Sequence, residues 1–246
     1  MVKVFDALEQ AANERATQGR DGQGDPIFSG NKLLESPTLD IESKMVVLYH
    51  NIEPLLHENQ AKVVQFMSSG PNEGTAQLLR EFAKVCAGKF HKTVLILDAN
   101  VLEPTQYVYF NVSPEWAEEG STEAKRDIKD AVCRVGKTNL FVCQVVTQRS
   151  LSPTSLEVEQ FERLLDQLRP GFDIILVDAP PATLSPIGLN LGAAVDGVVL
   201  VVEAEKTRWQ VAEKVKNSIE TRGGKVLGAI LNRSLYHIPR LLYDLL

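Results

Sequence analysis

Residues 68–76 read SSGPNEGTA. The stretch follows an apolar run, KVVQFM (62–67), and precedes a helical pattern, QLLREFAKVCA (77–87). A strand, a glycine-containing loop and a helix in that order is where a phosphate-binding loop belongs, and a working loop reads G-x-x-x-x-G-K-[ST]. Here Gly70 and Gly74 leave three residues between them instead of four, Thr75 stands in the lysine position, and Ala76 stands in the Ser/Thr position.

Outward from this stretch a regular alternation is expected. Strands are read at 62–68, 93–99, 139–146, 172–180, 196–204 and 225–233, and helices at 41–58, 75–88, 155–169, within 121–134 and from about 207 to 222. Runs such as VLIL, IILV and GVVLVV do not alternate polar with apolar, which is how strands covered on both faces read. Strand–helix–strand order implies right-handed crossovers and an α/β fold, a doubly wound and mostly parallel sheet flanked by helices. Ligands in such folds sit at the carboxyl ends of the strands. The residues that matter most are therefore Ser68 to Gly74, Asp98, Asp178 and Asn232.

The bulk numbers narrow the function classes. With 246 residues the chain can bury a sizeable core, and a net charge of −6 with no dense Lys/Arg block argues against nucleic acid. No apolar run approaches a membrane span, and the N-terminus lacks the apolar stretch of a signal peptide, so the cytoplasm is the expected location. Cys86, Cys133 and Cys143 are far apart and read as buried thiols. His50, His57, His91 and His237 lack metal-ligand spacing. Residues 1–31 read as an N-terminal amphipathic helix (2–17) followed by a Gly-rich flexible linker, TQGRDGQGDPIFSG. Residues 32–246 read as one P-loop-like α/β domain.

Asp98 ends TVLILDAN and Asp178 ends FDIILVDAPP. A carboxylate after an apolar strand is the arrangement that holds Mg²⁺ directly or through water in P-loop enzymes. With these residues in view, the chain resembles the cytoplasmic bacterial tyrosine kinases of capsule and exopolysaccharide synthesis, which share the MinD/ParA-like P-loop ATPase fold. The family loop P-G-E-G-K-[ST] lies on Pro71, Asn72, Glu73, Gly74, Thr75 and Ala76. The family motif L-I-D-A-D lies on Ile96 to Asn100, and D-x-I-I-[IV]-D-[ST]-P-P on Asp173 to Pro181. The start FDALEQA and the tail GAILNRSLYHIPRLLYDLL resemble the two ends of one branch of that family.

The resemblance implies ATP or ADP with Mg²⁺, held by residues 70–76. Asp98 and Asp178 would serve the metal, and Asn232 would contact the nucleobase. It also implies a membrane partner, the chain-length regulator or co-polymerase, a place at the inner membrane through that partner, and a second partner in an active kinase paralogue or another copy of the chain. The departures point the other way. Thr75 supplies no charge and Ala76 no metal ligand, SKMVVLYHNI (43–52) has no arginine for ring assembly, DANVLEPT (98–105) lacks the arginine expected there, and only Tyr236 and Tyr243 lie near the end. Loss of one charge-assisted phosphate contact costs about 1.5–3 kcal/mol, or roughly one to two decades in affinity.

The expectation is a catalytically impaired kinase homologue, a pseudokinase acting as a scaffold, with Asp98 and Asp178 vestigial and nucleotide held weakly. One alternative is a weakly active ATPase or tyrosine kinase using a substitute cation such as Lys62, Lys84 or Lys89. The other is a MinD/ParA-like positioning ATPase homologue, against which the absence of an early loop lysine at Ser69 or Gly70 counts. The apolar tail from Tyr236 to Tyr243 is expected to pack on its own domain.

Overall fold

A computed structural model describes residues 39–56, 61–114, 128–145 and 158–233. The N-terminal helix and linker, His57, His237 and the apolar tail lie outside the described residues. Seven strands form one sheet in the order β3-β4-β2-β5-β1-β6-β7. They are β1 (Lys62–Ser68), β2 (Val94–Asp98), β3 (Cys133–Arg134), β4 (Leu140–Gln144), β5 (Ile174–Asp178), β6 (Gly197–Glu203) and β7 (Val226–Asn232). All pairings are parallel except that of the short edge strand β3 with β4. This is the doubly wound α/β architecture expected from the apolar runs.

Because side chains alternate across a strand, each central strand feeds two cores. Val63, Met67, Leu95, Leu97, Ile175 and Val177 point to one face. That face is covered by α4 (Val158–Leu168), α5 (Ile187–Leu191) and α6 (Trp209–Thr221). Val64, Phe66, Ile96, Leu176, Val199 and Val201 point to the other, under α1 (Leu39–Ile52) and α2 (Thr75–Gly88). On α1 the buried residues Met45, Tyr49 and Ile52 are spaced four and three apart, one helical stripe. Pro54 then tightens the chain into a 3-10 turn, Glu53–Leu55, and α1 stops short of residue 58. On α4, Phe161, Leu164, Leu165 and Leu168 are buried, while Glu159 and Arg163 form an exposed ion pair at 3.5 Å. Gln65 is the polar exception inside β1, and its Nε2 donates to the carbonyl of Gly188 at 2.7 Å, tying α5 to β1.

The described strands fall within a residue or two of the expected ones, and α2 matches its expected span. One expectation fails. The helix placed within 121–134 is, in its described part, a 3-10 turn (Ile128–Ala131) followed by β3. The cause is a tight hairpin: Val135 N–H donates to Leu140 O at 2.9 Å, and Gly136 turns the chain at φ +54°. Two five-residue helices, α3 (Gln106–Phe110) and α5, went unanticipated because they are too short to show a period.

Phe161→Ala removes the largest side chain that α4 buries, so it is expected to lower unfolding free energy by about 3–5 kcal/mol in a urea titration. Arg163→Ala, in the exposed pair, should change it by less than about 0.5 kcal/mol. Equal effects would contradict the assignment of the buried face.

Candidate functional site

The carboxyl ends of β1, β2, β5 and β7 converge on a cleft of about 570 Å³, lined among others by Pro71, Thr75, Arg80, Tyr109, Asp178 and Arg233. That is within the size range of small-ligand sites. Among the described residues no cluster of three or more His, Cys, Asp or Glu could hold a metal. Cys86, Cys133 and Cys143 are free, buried thiols.

The loop leaves β1 at Ser68 and turns twice through left-handed backbone, at Asn72 (φ +62°) and Gly74 (φ +84°), before α2 begins at Thr75. Asparagine tolerates that region and glycine occupies it freely. Glycine is also required sterically, since a Cβ at position 74 would lie 2.4 Å from Asn232 Nδ2. Asn232 spends its amide on the loop itself. Its Nδ2 donates to the carbonyl of Glu73 at 2.9 Å, and its Oδ1 accepts from Arg233 N–H at 2.9 Å. It is thus held as a loop clamp.

Glu73 folds back into the loop. Its carboxylate accepts from the N–H groups of Ser69 (3.2 Å) and Gly70 (3.0 Å) and from Thr207 Oγ1 (2.7 Å). Burial pushes this carboxyl up from its ordinary value, against the pull of those three bonds. Two backbone donors that open the loop are therefore occupied by the loop's own acid. The first-turn N–H groups of α2 have no intrahelical acceptor and remain the cleft's anion-attracting feature. Thr75 Oγ1 is buried without a hydrogen-bond partner. Ala76, beside it, has no hydroxyl to offer.

Asp98 and Asp178 end adjacent parallel strands in register with one another. Both are buried, at 1% and 2% exposure. Asp98 accepts from the N–H groups of Asn100 (3.1 Å), Thr105 (3.0 Å) and Gln106 (3.0 Å), and so caps the start of α3. Asp178 accepts from Gln106 Nε2 at 2.5 Å. Burial pushes Asp178 up to about 7, with the charge of Asp98 adding to the shift. Asp98 is pushed up to about 6, burial outweighing its three backbone bonds.

The cation facing these acids is Arg80, five residues beyond Thr75. Its Nε donates to Gln106 Oε1 (2.8 Å), its Nη2 to Thr105 Oγ1 (2.6 Å), and its guanidinium lies 4.0 Å from the centre of the Tyr109 ring. Lys62, Lys84 and Lys89 are engaged elsewhere, with Glu53, with Glu81 and Tyr109, and with Glu42 respectively. Sequence reading missed both Arg80 and Gln106. The available signal was slight: Arg80 lies one helical turn beyond Ala76 on the polar edge of α2, and Gln106 follows Asp98 at the distance of a short capped turn.

A divalent cation does not fit these residues as they stand. Position 76, where the family loop carries a ligating hydroxyl, is alanine, and both oxygens of Asp98 and Oδ2 of Asp178 already receive N–H donors.

The comparisons agree with this architecture. No protein-family model matches the chain. It is 27% identical to the putative tyrosine-protein kinase CapB of Staphylococcus aureus over 81% of this chain and 87% of that protein. It is 29% identical to the tyrosine-protein kinase YwqD of Bacillus subtilis over 74% and 76%. The chain is similar to the bacterial tyrosine-protein kinases. Among solved structures, the chimerical protein CapA2B2 superposes with a TM-score of 0.67, 22% identity, and coverage of 82% of this chain and 88% of that one. The MinD protein of Pyrococcus horikoshii, complexed with Mg-ADP, gives 0.53 at 16% identity, covering 75% and 76%. The fold is thus the MinD/ParA-like P-loop fold. Among the described residues no helix is long and apolar enough to cross a membrane.

A carboxyl whose folded pKa lies above its unfolded value of 3.8 binds more protons when folded, so stability falls as pH rises through that window. Wild-type stability is expected to drop relative to Asp178→Asn between about pH 4 and pH 7, the two converging at the acid end, measured as urea midpoints. A difference that is constant with pH would contradict a raised Asp178.

Proposed function

We propose that this chain is a non-catalytic relative of the capsule and exopolysaccharide tyrosine kinases, a scaffold that acts by binding and not by phosphoryl transfer. The observation that carries the reading is that residues 68–76 contain no lysine. Thr75 stands where the phosphate-binding lysine belongs, and the lysines near it are engaged elsewhere. Stabilising charge on the transferring phosphoryl group is most of what such catalysis requires, and a neutral hydroxyl beside an alanine supplies neither the ammonium nor a metal ligand.

Binding is supported by the cleft rim. Leu102 (54%), Val108 (83%) and Leu184 (55%) are large apolar side chains left exposed around one opening. The partner we infer is the membrane chain-length regulator of the same pathway, which would hold the chain at the inner face of the membrane. Similarity to CapA2B2 supports this. Nucleotide, in this reading, is held weakly by the first turn of α2 alone.

A second reading is favoured by Arg80. It is a buried-side cation lining the cleft, and an enzyme of reduced activity could use it in place of the lysine. The two separate cleanly. Purified protein incubated with Mg-ATP labelled at the γ-phosphate is expected to show no hydrolysis and no tyrosine phosphorylation above the Asp178→Asn variant. Turnover that disappears in that variant would establish the enzyme. In calorimetry, Thr75→Lys is expected to tighten ADP by roughly one to two decades, the worth of one charge-assisted contact.

A further inference from the structure

We propose that Gln106 is the residue that keeps divalent cations off the Asp98–Asp178 pair, its side-chain amide taking the carboxylate face a cation would need and Arg80 fixing the amide's orientation. The proposal rests on the reading of these two aspartates as a former metal pair.

Residue 106 touches both acids. Its backbone N–H donates to Asp98 Oδ2 at 3.0 Å, and its side-chain Nε2 donates to Asp178 Oδ2 at 2.5 Å. The remaining oxygen of Asp98 is taken by Asn100 N–H at 3.1 Å. Gln106 itself is 0% exposed, so water does not compete for these bonds. Hard divalent cations need oxygen lone pairs in number. Here N–H groups aim their positive ends at both oxygens of Asp98 and at Oδ2 of Asp178, three of the four oxygens a cation would use.

The orientation of the amide follows from chemistry. Arginine has donors and no acceptor. Its Nε contacts one end of the Gln106 amide at 2.8 Å, so that end is the oxygen and the NH₂ faces Asp178. Flipping the amide would set NH₂ against guanidinium and carbonyl against carboxylate, two repulsions at once. Arg80 cannot swing away cheaply, being bonded to Thr105 and stacked on Tyr109. Its positive charge also acts on both carboxylates. An amide dipole and a guanidinium thus stand against a cation at the pair, and α3 is the element that carries the plug.

The test uses the full chain and Mn²⁺ as probe, with bound metal followed by electron paramagnetic resonance and by the thermal midpoint. Wild type is expected to bind no more Mn²⁺ than Asp178→Asn. Gln106→Ala removes the plug and is expected to gain at least about tenfold in Mn²⁺ affinity, the worth of one charge-assisted hydrogen bond. Gln106→Glu keeps the length and replaces the donor with oxygens. It is expected to bind tighter still, and Mn²⁺ should raise its thermal midpoint. Should Gln106→Ala fail to fold, the near-isosteric Glu variant and the wild-type comparison carry the test. Mn²⁺ binding by wild type that Asp178→Asn abolishes would overturn the proposal. So would a folded Gln106→Glu that binds no better than wild type. Neither result bears on turnover, so the scaffold reading stands or falls on its own assay.

Discussion

Two carboxylates, Asp98 and Asp178, end neighbouring strands in register and are sealed from water. Strands lie about 4.8 Å apart, so the acids cannot both carry charge without compensation. A P-loop enzyme resolves this with a metal ion. In this chain the compensation comes from protein groups, and they dictate much of the local architecture. Arg80 is held on α2 facing the acids, Gln106 is drawn in from α3, and α3 owes its first turn to the N–H groups that Asp98 accepts.

A second constraint governs the loop. Without a bound phosphate its inward-facing amides would lack acceptors, which is costly when they are buried. Glu73 supplies the acceptor from inside the loop. Thr207, after β6, and Asn232, at the end of β7, lock it there. Groups from the segment after β6 and from the end of β7 thus hold the loop in shape. The left-handed turns at Asn72 and Gly74 persist because this lattice over-determines them.

The fold was legible because parallel strands buried on both faces announce themselves as apolar runs, and VLIL, IILV and GVVLVV cannot be mistaken for half-exposed ribbons. The strand-end residues were legible because topology puts ligands at carboxyl ends. What stayed hidden depends on contacts between elements. Gln106 sits in a helix of five residues, too short for any periodicity, and its meaning lies in a side chain 72 positions away. Arg80 looked like the polar edge of an amphipathic helix. The role of Asn232 as a clamp needed its 2.9 Å bond to the Glu73 carbonyl to become visible. The hairpin at 133–142 was missed because its first strand, β3, has two residues, too few to show an alternation.

The two closures are independent, and that is informative about the whole site. Glu73 occupies amides at the head of the loop, while Gln106 occupies the carboxylates across the cleft. They come from different elements and share no hydrogen bond. Losing the lysine at position 75 alone would leave a loop still open to phosphate and a pair still open to metal. Restoring it alone would leave Ala76 without a ligand oxygen and Asp178 still capped. In this cleft the loop's charge, the hydroxyl and one oxygen of Asp178 all depart from the pattern of the family loop and its aspartates. With the head of the loop and much of the acid pair bonded internally, the first turn of α2 and the exposed apolar rim of Leu102, Val108 and Leu184 are left facing the cleft.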